Sequence, residues 1–314
     1  MRLRVWGARG SIPAPGPETT RYGGNTSCVQ VELSDGSTLV LDAGTGIRPL
    51  GLALPRDDRP LHILLTHLHL DHIQGLMFFA PMFRPGAEIV IYGPCDPGCP
   101  ESSLRSRIGR YLSAPLAPVE IRELPCDVSF QEAETTEWEI GPARIRAASV
   151  THRGPTLGYR ISDGGRSIAY IPDHEPGLGT PLQELEDEWM SGLELARGAD
   201  LLLHDAQYTD DEYPRHLGWG HSPMADALTF ARRADVGSLV GFHHDPMHSD
   251  DQLDAMAAAG GAAWVARGGE PGGFALAGEG MAIDLAAGAA NGARPSLRPA
   301  PAAAPDALLF DGGL

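Results

Sequence analysis

Leu64-Leu65-Thr66-His67-Leu68-His69-Leu70-Asp71-His72 runs from an apolar strand pattern into a helical pattern. Side chains alternate along an extended segment, so His67 and His69 point the same way. Asp71 and His72 follow at the turn and can face a second point close by. Imidazole and carboxylate groups are the ligands that zinc and similar divalent ions prefer. The segment therefore predicts two adjacent metal sites at the end of a buried strand.

Four further motifs accompany this segment in chain order. They are LDAGTG (41–46) before it, and VTH (150–152), YIPD (170–173) and LVGFHHDP (239–246) after it. Together with His-x-His-x-Asp-His, these motifs closely resemble those of the metallo-β-lactamase superfamily, over residues 1 to about 260. The resemblance implies an α/β fold, an αββα sandwich formed by a single domain.

The resemblance also implies which side chains hold two divalent ions. The first ion would be held by His67, His69 and His152, and the second by Asp71, His72 and His243, with Asp173 between both. Asp42 would support the metal-binding loop. His243 and His244 compete for one position, and the spacing to Pro246 favours His243. Zinc is the expected ion, and manganese or iron are alternatives that the same ligands accept.

A second pair of motifs indicates a branch of the superfamily. HDAQY (204–208) and GWGHS (218–222) resemble the ribonuclease Z-like and cyclic-phosphodiesterase branch, in which a carboxylate and a histidine lie beside the metals. Asp205 and His221 match those positions. With Asp71, they are the catalytic residues that the resemblance implies, His221 protonating the leaving oxygen while a metal-bridging hydroxide attacks phosphorus. The alternative is a helix-capping turn in which His221 only packs.

The net charge of the protein and the length of one segment limit the expected class of substrate. The net charge is −17 and the pI is near 5.0, and such a surface repels phosphate backbones, so nucleic acid is a disfavoured partner. The 20 residues 153–172 hold one hairpin, which leaves no room for the long insertion with which ribonuclease Z grips tRNA. We therefore expect a small phosphodiester, foremost a cyclic nucleotide. Tyr208, Trp219 or Tyr22 could stack on its base, or belong to the core.

Three other functions stay open on the sequence alone. The chain could be a ribonuclease Z-like RNA endonuclease, or a hydrolase of lactones, β-lactams or thiolesters at the same metals. It could also be a metal-dependent nucleotide sensor without catalysis, although a binding module need not retain a water-activating centre.

Composition divides the chain into two parts. Residues 1–285 mix apolar runs with Gly and Pro and predict one hydrolase domain, whereas residues 286–314 are rich in Ala, Gly and Pro and predict a flexible tail. The last apolar cluster of the tail, Leu308-Leu309-Phe310, could dock on the body of the protein or on a partner. No run approaches the roughly 18 apolar residues of a membrane span, and no signal-peptide pattern opens the chain. We expect a cytoplasmic protein, and the family resemblance suggests a homodimer.

Periodicity predicts short strands in the first half and alternating helices and strands in the second. Helical patterns cover residues 71–83, 101–112, 183–197, 222–234 and 249–259. Strand patterns cover residues 3–6, 27–33, 38–41, 61–65, 88–92, 144–150, 157–161, 167–171, 200–204 and 238–243.

Overall fold

Two seven-stranded β-sheets lie face to face in the computed structural model, which describes residues 1–285 and Leu297. The strands are β1 (Arg2–Gly7), β2 (Cys28–Glu32), β3 (Thr38–Leu41), β4 (Leu61–Leu64), β5 (Glu88–Pro94), β6 (Asp127–Ala133), β7 (Thr136–Ile140), β8 (Ala143–Ser149), β9 (Leu157–Asp163), β10 (Arg166–Ile171), β11 (Leu201–Asp205), β12 (Ser238–Phe242), β13 (Phe274–Leu276) and β14 (Ala282–Asp284). The first sheet has the order β14-β1-β2-β3-β4-β5-β6, and the second β13-β12-β11-β10-β9-β8-β7.

Helices cover the outer face of each sheet. They are α1 (Ile47–Ala53), α2 (Leu70–Ile73), α3 (Leu104–Tyr111), α4 (Leu193–Ala196), α5 (Met224–Arg233) and α6 (Asp250–Ala266). One apolar cluster fills the space between the sheets, a second joins the second sheet to α4, α5 and α6, and a third joins the first sheet to α1 and α3. These four layers confirm the predicted αββα sandwich.

The strand directions bring one set of strand ends together. In the first sheet β3, β4, β5 and β6 are parallel, and in the second β10, β11, β12 and β13 are parallel. Strand β8 has the same direction as β10, because both pair antiparallel with β9, which lies between them. Ligand sites in open α/β sheets lie beyond the carboxyl ends of the strands. Apart from His221, the predicted site residues lie at or closely after the carboxyl ends of β3, β4, β8, β10, β11 and β12.

Two predicted helices are shorter than their patterns. The pattern over 71–83 becomes α2 and two 3-10 turns, Leu76–Phe78 and Ala80–Phe83, because Gly75 and Pro81 interrupt the hydrogen-bond ladder. The pattern over 183–197 becomes two 3-10 turns and α4, which starts after Gly192 in a left-handed conformation with φ of 72°. Strands β6 and β7 were not predicted. Both lie at sheet edges, and their alternating polar residues are largely exposed.

The predicted tail, residues 286–314, lies outside the described residues except for Leu297, and so does the cluster at residues 308–310. Within the described part of the chain, none of the helices combines the length and apolarity needed to cross a membrane.

Candidate metal centre

Seven predicted ligands meet where the two sheets open at these strand ends. Within the described residues, two of the three-residue groups able to hold an ion match the predicted sets: His67, His69 and His152, and Asp71, His72 and His243. In the first group His67 Nε2 lies 2.9 Å from His69 Nδ1, which lies 3.2 Å from His152 Nε2. In the second, His72 Nε2 and His243 Nε2 are 3.3 Å apart. Asp71 Oδ2 lies 3.3 Å from the former and 3.1 Å from the latter.

Hydrogen bonds fix which nitrogen of each imidazole faces this centre. His72 Nδ1 donates to Asp42 Oδ2 at 2.9 Å, and His152 Nδ1 donates to the carbonyl of Gly220 at 2.7 Å. His243 Nδ1 donates to Gln207 Oε1 at 3.0 Å. Because carboxylate and carbonyl oxygens only accept, each Nδ1 carries the proton and each Nε2 presents a lone pair. Three lone pairs therefore point into one small volume.

The same tautomer follows for His67 from a two-step relay. The Thr66 hydroxyl lies 3.0 Å from both oxygens of Asp42 and donates to that carboxylate, and it lies 3.0 Å from His67 Nδ1, from which it accepts. His67 Nε2 is thereby free of a proton as well. This carboxylate–hydroxyl–imidazole chain orients a ligand in the way that outer partners orient metal-binding histidines.

Asp173 lies between the two groups. Its Oδ2 is 3.7 Å from His67 Nε2 and 3.6 Å from His152 Nε2, whereas its Oδ1 is 3.1 Å from His72 Nε2 and 3.4 Å from His243 Nε2. Oδ1 is buried and has no well-directed hydrogen-bond partner. A buried carboxylate oxygen facing imidazole lone pairs is unfavourable unless a cation lies among them. The residues present therefore fit divalent metal ions of the borderline class.

The pKa shifts of the histidines at the centre also fit the binding of metal cations. Burial lowers the pKa of His72, but attraction from Asp173, Asp71 and Asp42 outweighs burial and raises that pKa well above its ordinary value. Without a metal ion, a second proton on His72 Nε2 would supply the positive charge that these carboxylates attract, and a bound cation would replace that proton and leave the Nε2 lone pair free. Burial, with repulsion from neighbouring imidazoles, instead lowers the pKa of His67 and brings that of His152 to about 4. Those two imidazoles are neutral at pH 7, as metal ligands must be.

Asp205 and His221 form a second, buried pair beside the ligands. His221 Nδ1 donates to Asp205 Oδ2 at 2.7 Å. The ring of His221 lies 4.9 Å from the rings of both His152 and His243. Burial lowers the pKa of His221, but attraction and the hydrogen bond to Asp205 outweigh burial and raise the pKa above its ordinary value. A histidine in this state can donate a proton from Nε2 near neutral pH.

His243 and His244 point in different directions. His243 faces Asp71 and His72, in a left-handed backbone conformation with φ of 61°. His244 Nε2 donates instead to the carbonyl of Ala277 at 2.7 Å. A positive φ in a residue other than glycine is strained and persists only where the surroundings enforce it. The turn thus directs the first of the two histidines to the centre.

Sequence reasoning missed the residues that orient the ligands. Gln207, which holds His243, belongs to a quoted motif but carries no ligand pattern of its own. Glu175 is a buried carboxylate that accepts from the backbone N–H groups of Gly218 and Gly220, and its position in the sequence has no distinguishing signal. The backbone N–H of Ser11 donates to Asp71 Oδ2 at 2.8 Å, a contact that no side-chain pattern can reveal.

Asp42 is expected to carry much of the local stability. It is fully buried and accepts from the Thr66 backbone and hydroxyl, from His72 and from the Tyr170 hydroxyl at 2.9 Å. Asp42→Ala should lower the free energy of unfolding by about 3–5 kcal/mol, because it leaves several buried donors unpaired. Urea unfolding of chelator-treated protein measures this without a contribution from metal binding.

The matched control is Tyr170→Phe, which removes one donor to the same carboxylate and should cost about 1–2 kcal/mol. Equal losses in Asp42→Ala and Tyr170→Phe would contradict the role of Asp42 as the common acceptor.

Gly10 is expected to be required for metal affinity. A Cβ atom on this residue would lie 2.5 Å from Nδ1 and Cε1 of His243, closer than real contacts allow. Gly10→Ala should therefore displace that imidazole and weaken binding of the second ion by about 10- to 100-fold, as loss of ligand orientation does elsewhere. Titration with zinc, followed by calorimetry, measures the affinity. Gly16→Ala is the control, because nothing lies within 4 Å of a Cβ there, and a similar loss in both variants would contradict the assignment.

Comparison with known proteins identifies the family of this chain. The family model described as "Beta-lactamase superfamily domain" matches residues 37–244, more than half of the chain. Ribonuclease Z of Natronomonas pharaonis is 26% identical over 86% of this chain and 96% of its own length. Two solved structures share the fold: the short form of human tRNase Z and a diphosphatase from the PhnP family.

Their likeness is structural rather than close in sequence. The human protein has a TM-score of 0.62 and 22% identity, covering 91% of this chain and 100% of its own. The diphosphatase has a TM-score of 0.62 and 20% identity, covering 91% and 98%. The region matched by the family model includes every one of the seven candidate ligands, together with Asp205 and His221. This chain is therefore a member of the β-lactamase superfamily, and its candidate metal centre lies within the domain that defines that family.

Proposed function

We propose that this protein is a metal-dependent phosphodiesterase with two metal ions, acting on a small phosphodiester, foremost a cyclic nucleotide. The observation that carries the proposal is the arrangement of two three-ligand groups around Asp173, with the Asp205–His221 pair directly beside them. Metal ligands alone serve many reactions of this fold. A buried carboxylate–imidazole pair next to them adds a proton donor, which suits the departure of an alkoxide.

The ligands divide between two ions in this proposal. His67, His69 and His152 would hold the first, and Asp71, His72 and His243 the second, with Asp173 shared. Zinc is the first expectation, and manganese or iron are alternatives. When bound, such a pair of ions lowers the pKa of water and stabilises the charge that develops on the phosphoryl oxygens.

The protein's own groups would then orient the reactants and move one proton. Asp71 is oriented by the Ser11 N–H, which donates to its Oδ2, and its carboxylate can accept a hydrogen bond from the attacking water. His221 Nε2 faces the centre, since Nδ1 is committed to Asp205, and can transfer its proton to the leaving oxygen. Asp205 is itself fixed by the N–H groups of Gln207 and Ser222, so it holds the imidazole in one tautomer and orientation.

Two features support a small substrate. The segment between His152 and Asp173 consists of a short loop and the β9–β10 hairpin, which leaves no inserted arm there for gripping a folded RNA. The net charge of −17 also opposes the approach of a polyanion. RNA cleavage is the second candidate, because the Natronomonas pharaonis relative is named ribonuclease Z and matches along 96% of its length.

A substrate panel tests the proposal. Metal-loaded protein is assayed with 3′,5′- and 2′,3′-cyclic nucleotides, a linear dinucleotide, a precursor tRNA, and lactone and thiolester substrates. Turnover of a small phosphodiester above all others is expected. Preferred cleavage of precursor tRNA would replace the proposal with the endonuclease function, and preferred acyl turnover would replace it with carbon-centred hydrolysis. Saturable nucleotide binding without product would identify a sensor.

A further inference from the structure

Trp219 is a large apolar side chain left exposed beside the candidate metal centre. It is 55% exposed and lies two residues before His221. The carbonyl of the next residue, Gly220, accepts the hydrogen bond from His152 Nδ1 at 2.7 Å. An exposed indole loses apolar contact that burial would provide, so its exposure next to a backbone group that binds a candidate metal ligand suggests contact with a substrate.

Hydrogen bonds to a buried carboxylate hold the turn that carries this indole. The buried carboxylate of Glu175 accepts from the N–H groups of Gly218 at 2.9 Å and Gly220 at 2.7 Å, on either side of Trp219. It also accepts from the Tyr213 hydroxyl at 2.8 Å, and Arg153 Nε donates to the Gly218 carbonyl at 3.1 Å. The backbone at Trp219 is therefore ordered before any ligand arrives, which lowers the entropic cost of binding.

A row of rings sets the direction of the indole. Trp219 meets the ring of His216 edge-on, with centroids 5.0 Å apart, and His216 stacks on Tyr208 at 4.3 Å. Tyr208 in turn lies edge-on to His221 at 6.1 Å. The row runs from the proposed proton donor outward to the exposed indole.

The structure separates the three aromatic candidates for stacking. Tyr208 is buried, with 2% of its surface exposed, and already stacks on His216. Tyr22 donates its hydroxyl to Asp254 and packs against the ring of His244, which points away from the centre. Trp219 is the most exposed of the three candidates, at 55%.

Two further exposed apolar side chains are chain neighbours of residues at the centre. Ile12 is 60% exposed and follows Ser11, whose N–H binds Asp71. Leu70 is 61% exposed and lies between His69 and Asp71 in the chain. The protein's net charge of −17 opposes an anionic ligand, so an apolar moiety on that ligand would supply affinity that the electrostatic field does not.

We infer that Trp219 is a stacking platform for an aromatic ring carried by the substrate, as a nucleobase is, and that it determines preference for nucleotides over phosphate esters without a base. This inference rests on the proposed function. Base–aromatic stacking strengthens binding by about 5- to 100-fold and tolerates any base, because every base has a π-face. Trp219 thus selects the substrate class without identifying one base.

Calorimetry with reaction-product analogues tests the inference without requiring turnover. Adenosine 5′-monophosphate and ribose 5-phosphate are titrated into metal-loaded wild type, Trp219→Ala and Trp219→Phe. The wild type should bind the nucleotide about 5- to 100-fold more tightly than the sugar phosphate. Trp219→Ala should abolish that difference in affinity, while its affinity for ribose 5-phosphate stays within about 2-fold of the wild-type value. Trp219→Phe should retain most of the difference between the two ligands.

Trp189→Ala is the matched control, because Trp189 is 72% exposed and lies on a different 3-10 turn. It should leave both affinities unchanged. Equal affinities of the wild type for the two ligands, including no binding of either, would overturn the inference, and so would an unchanged difference in Trp219→Ala. Hydrolysis of an abasic cyclic phosphate by the wild type tests the proposed function separately, since that ester has no ring to stack.

Discussion

Replacing His221 with alanine is expected to lower kcat on an alkyl phosphodiester by about 10²- to 10⁴-fold, the usual contribution of a positioned general acid. The imidazole donates Nδ1–H to Asp205 and presents Nε2 to the centre, so its removal takes away the proton for a leaving alkoxide. Metal content should stay at the wild-type level, because His221 belongs to neither predicted ligand set. Steady-state kinetics and elemental analysis of the same samples measure both quantities.

The leaving group provides the sharpest control for this prediction. Bis(4-nitrophenyl) phosphate expels a stable anion that needs no proton, so His221→Ala should cleave it within about 5-fold of the wild-type rate if the residue is a general acid. A similar loss on both substrates, or loss of bound metal, would contradict that role.

Asp205→Asn extends the test to the partner of His221. Both oxygens of Asp205 accept from N–H groups: Oδ1 from Gln207 and Ser222, and Oδ2 from His174 as well as the imidazole. An asparagine amide turns one acceptor into a donor, which would face another donor and disturb the imidazole. The fall in kcat caused by Asp205→Asn should depend on the leaving group in the same way as the fall caused by His221→Ala.

Asp173→Ala is expected to remove metal binding together with activity. Asp173 is the only group among the described ligands with one oxygen toward each ligand set, at 3.6–3.7 Å on one side and 3.1–3.4 Å on the other. Without its charge, two cations would repel each other across the centre with less to hold them. Metal occupancy after dialysis should fall from two ions to at most one per chain, and kcat should fall by at least about 10³-fold.

The matched control for Asp173→Ala is Asp163→Ala. Asp163 is also buried and accepts two hydrogen bonds, from the backbone and hydroxyl of Ser34, but it lies in the β9–β10 hairpin turn region away from the ligands. The Asp163→Ala variant should have a lower free energy of unfolding and should retain both metal ions. Retention of two ions by Asp173→Ala would show that the ligand sets do not share this carboxylate.

The fold and the candidate ligand sets could be predicted because both depend on local patterns in chain order. A histidine cluster directly after an apolar strand indicates a site at a strand end, and the further motifs repeat that arrangement at β8, β10 and β12. The residues that orient the ligands could not be predicted in this way. Gln207 meets His243 across 36 residues, and Ser11 meets Asp71 across 60, contacts that only the paired sheets create.

Element boundaries failed where tertiary packing overrides local periodicity. The helical pattern over 71–83 ends early: Gly75 and Pro81 interrupt it, and the two 3-10 turns that follow α2 contact α1. Edge strands β6 and β7 were not predicted because only one face of each is partly buried, and few of their residues are apolar. Trp219 lies in a motif that the sequence already shows. Only the fold shows which of the three aromatic candidates for stacking is exposed.

Hydrolysis in ¹⁸O-labelled water tests the central claim most directly. Protein loaded with two zinc ions is incubated with the phosphodiester that it turns over fastest, and the product is analysed by mass spectrometry. The proposed reaction predicts that the new oxygen lies in the phosphate group, and that prior treatment with a chelator abolishes the product. Product that carries the label on its carbon-bound hydroxyl would contradict attack at phosphorus. Absence of turnover of every phosphodiester in the panel, with both ions bound, would contradict the phosphodiesterase itself.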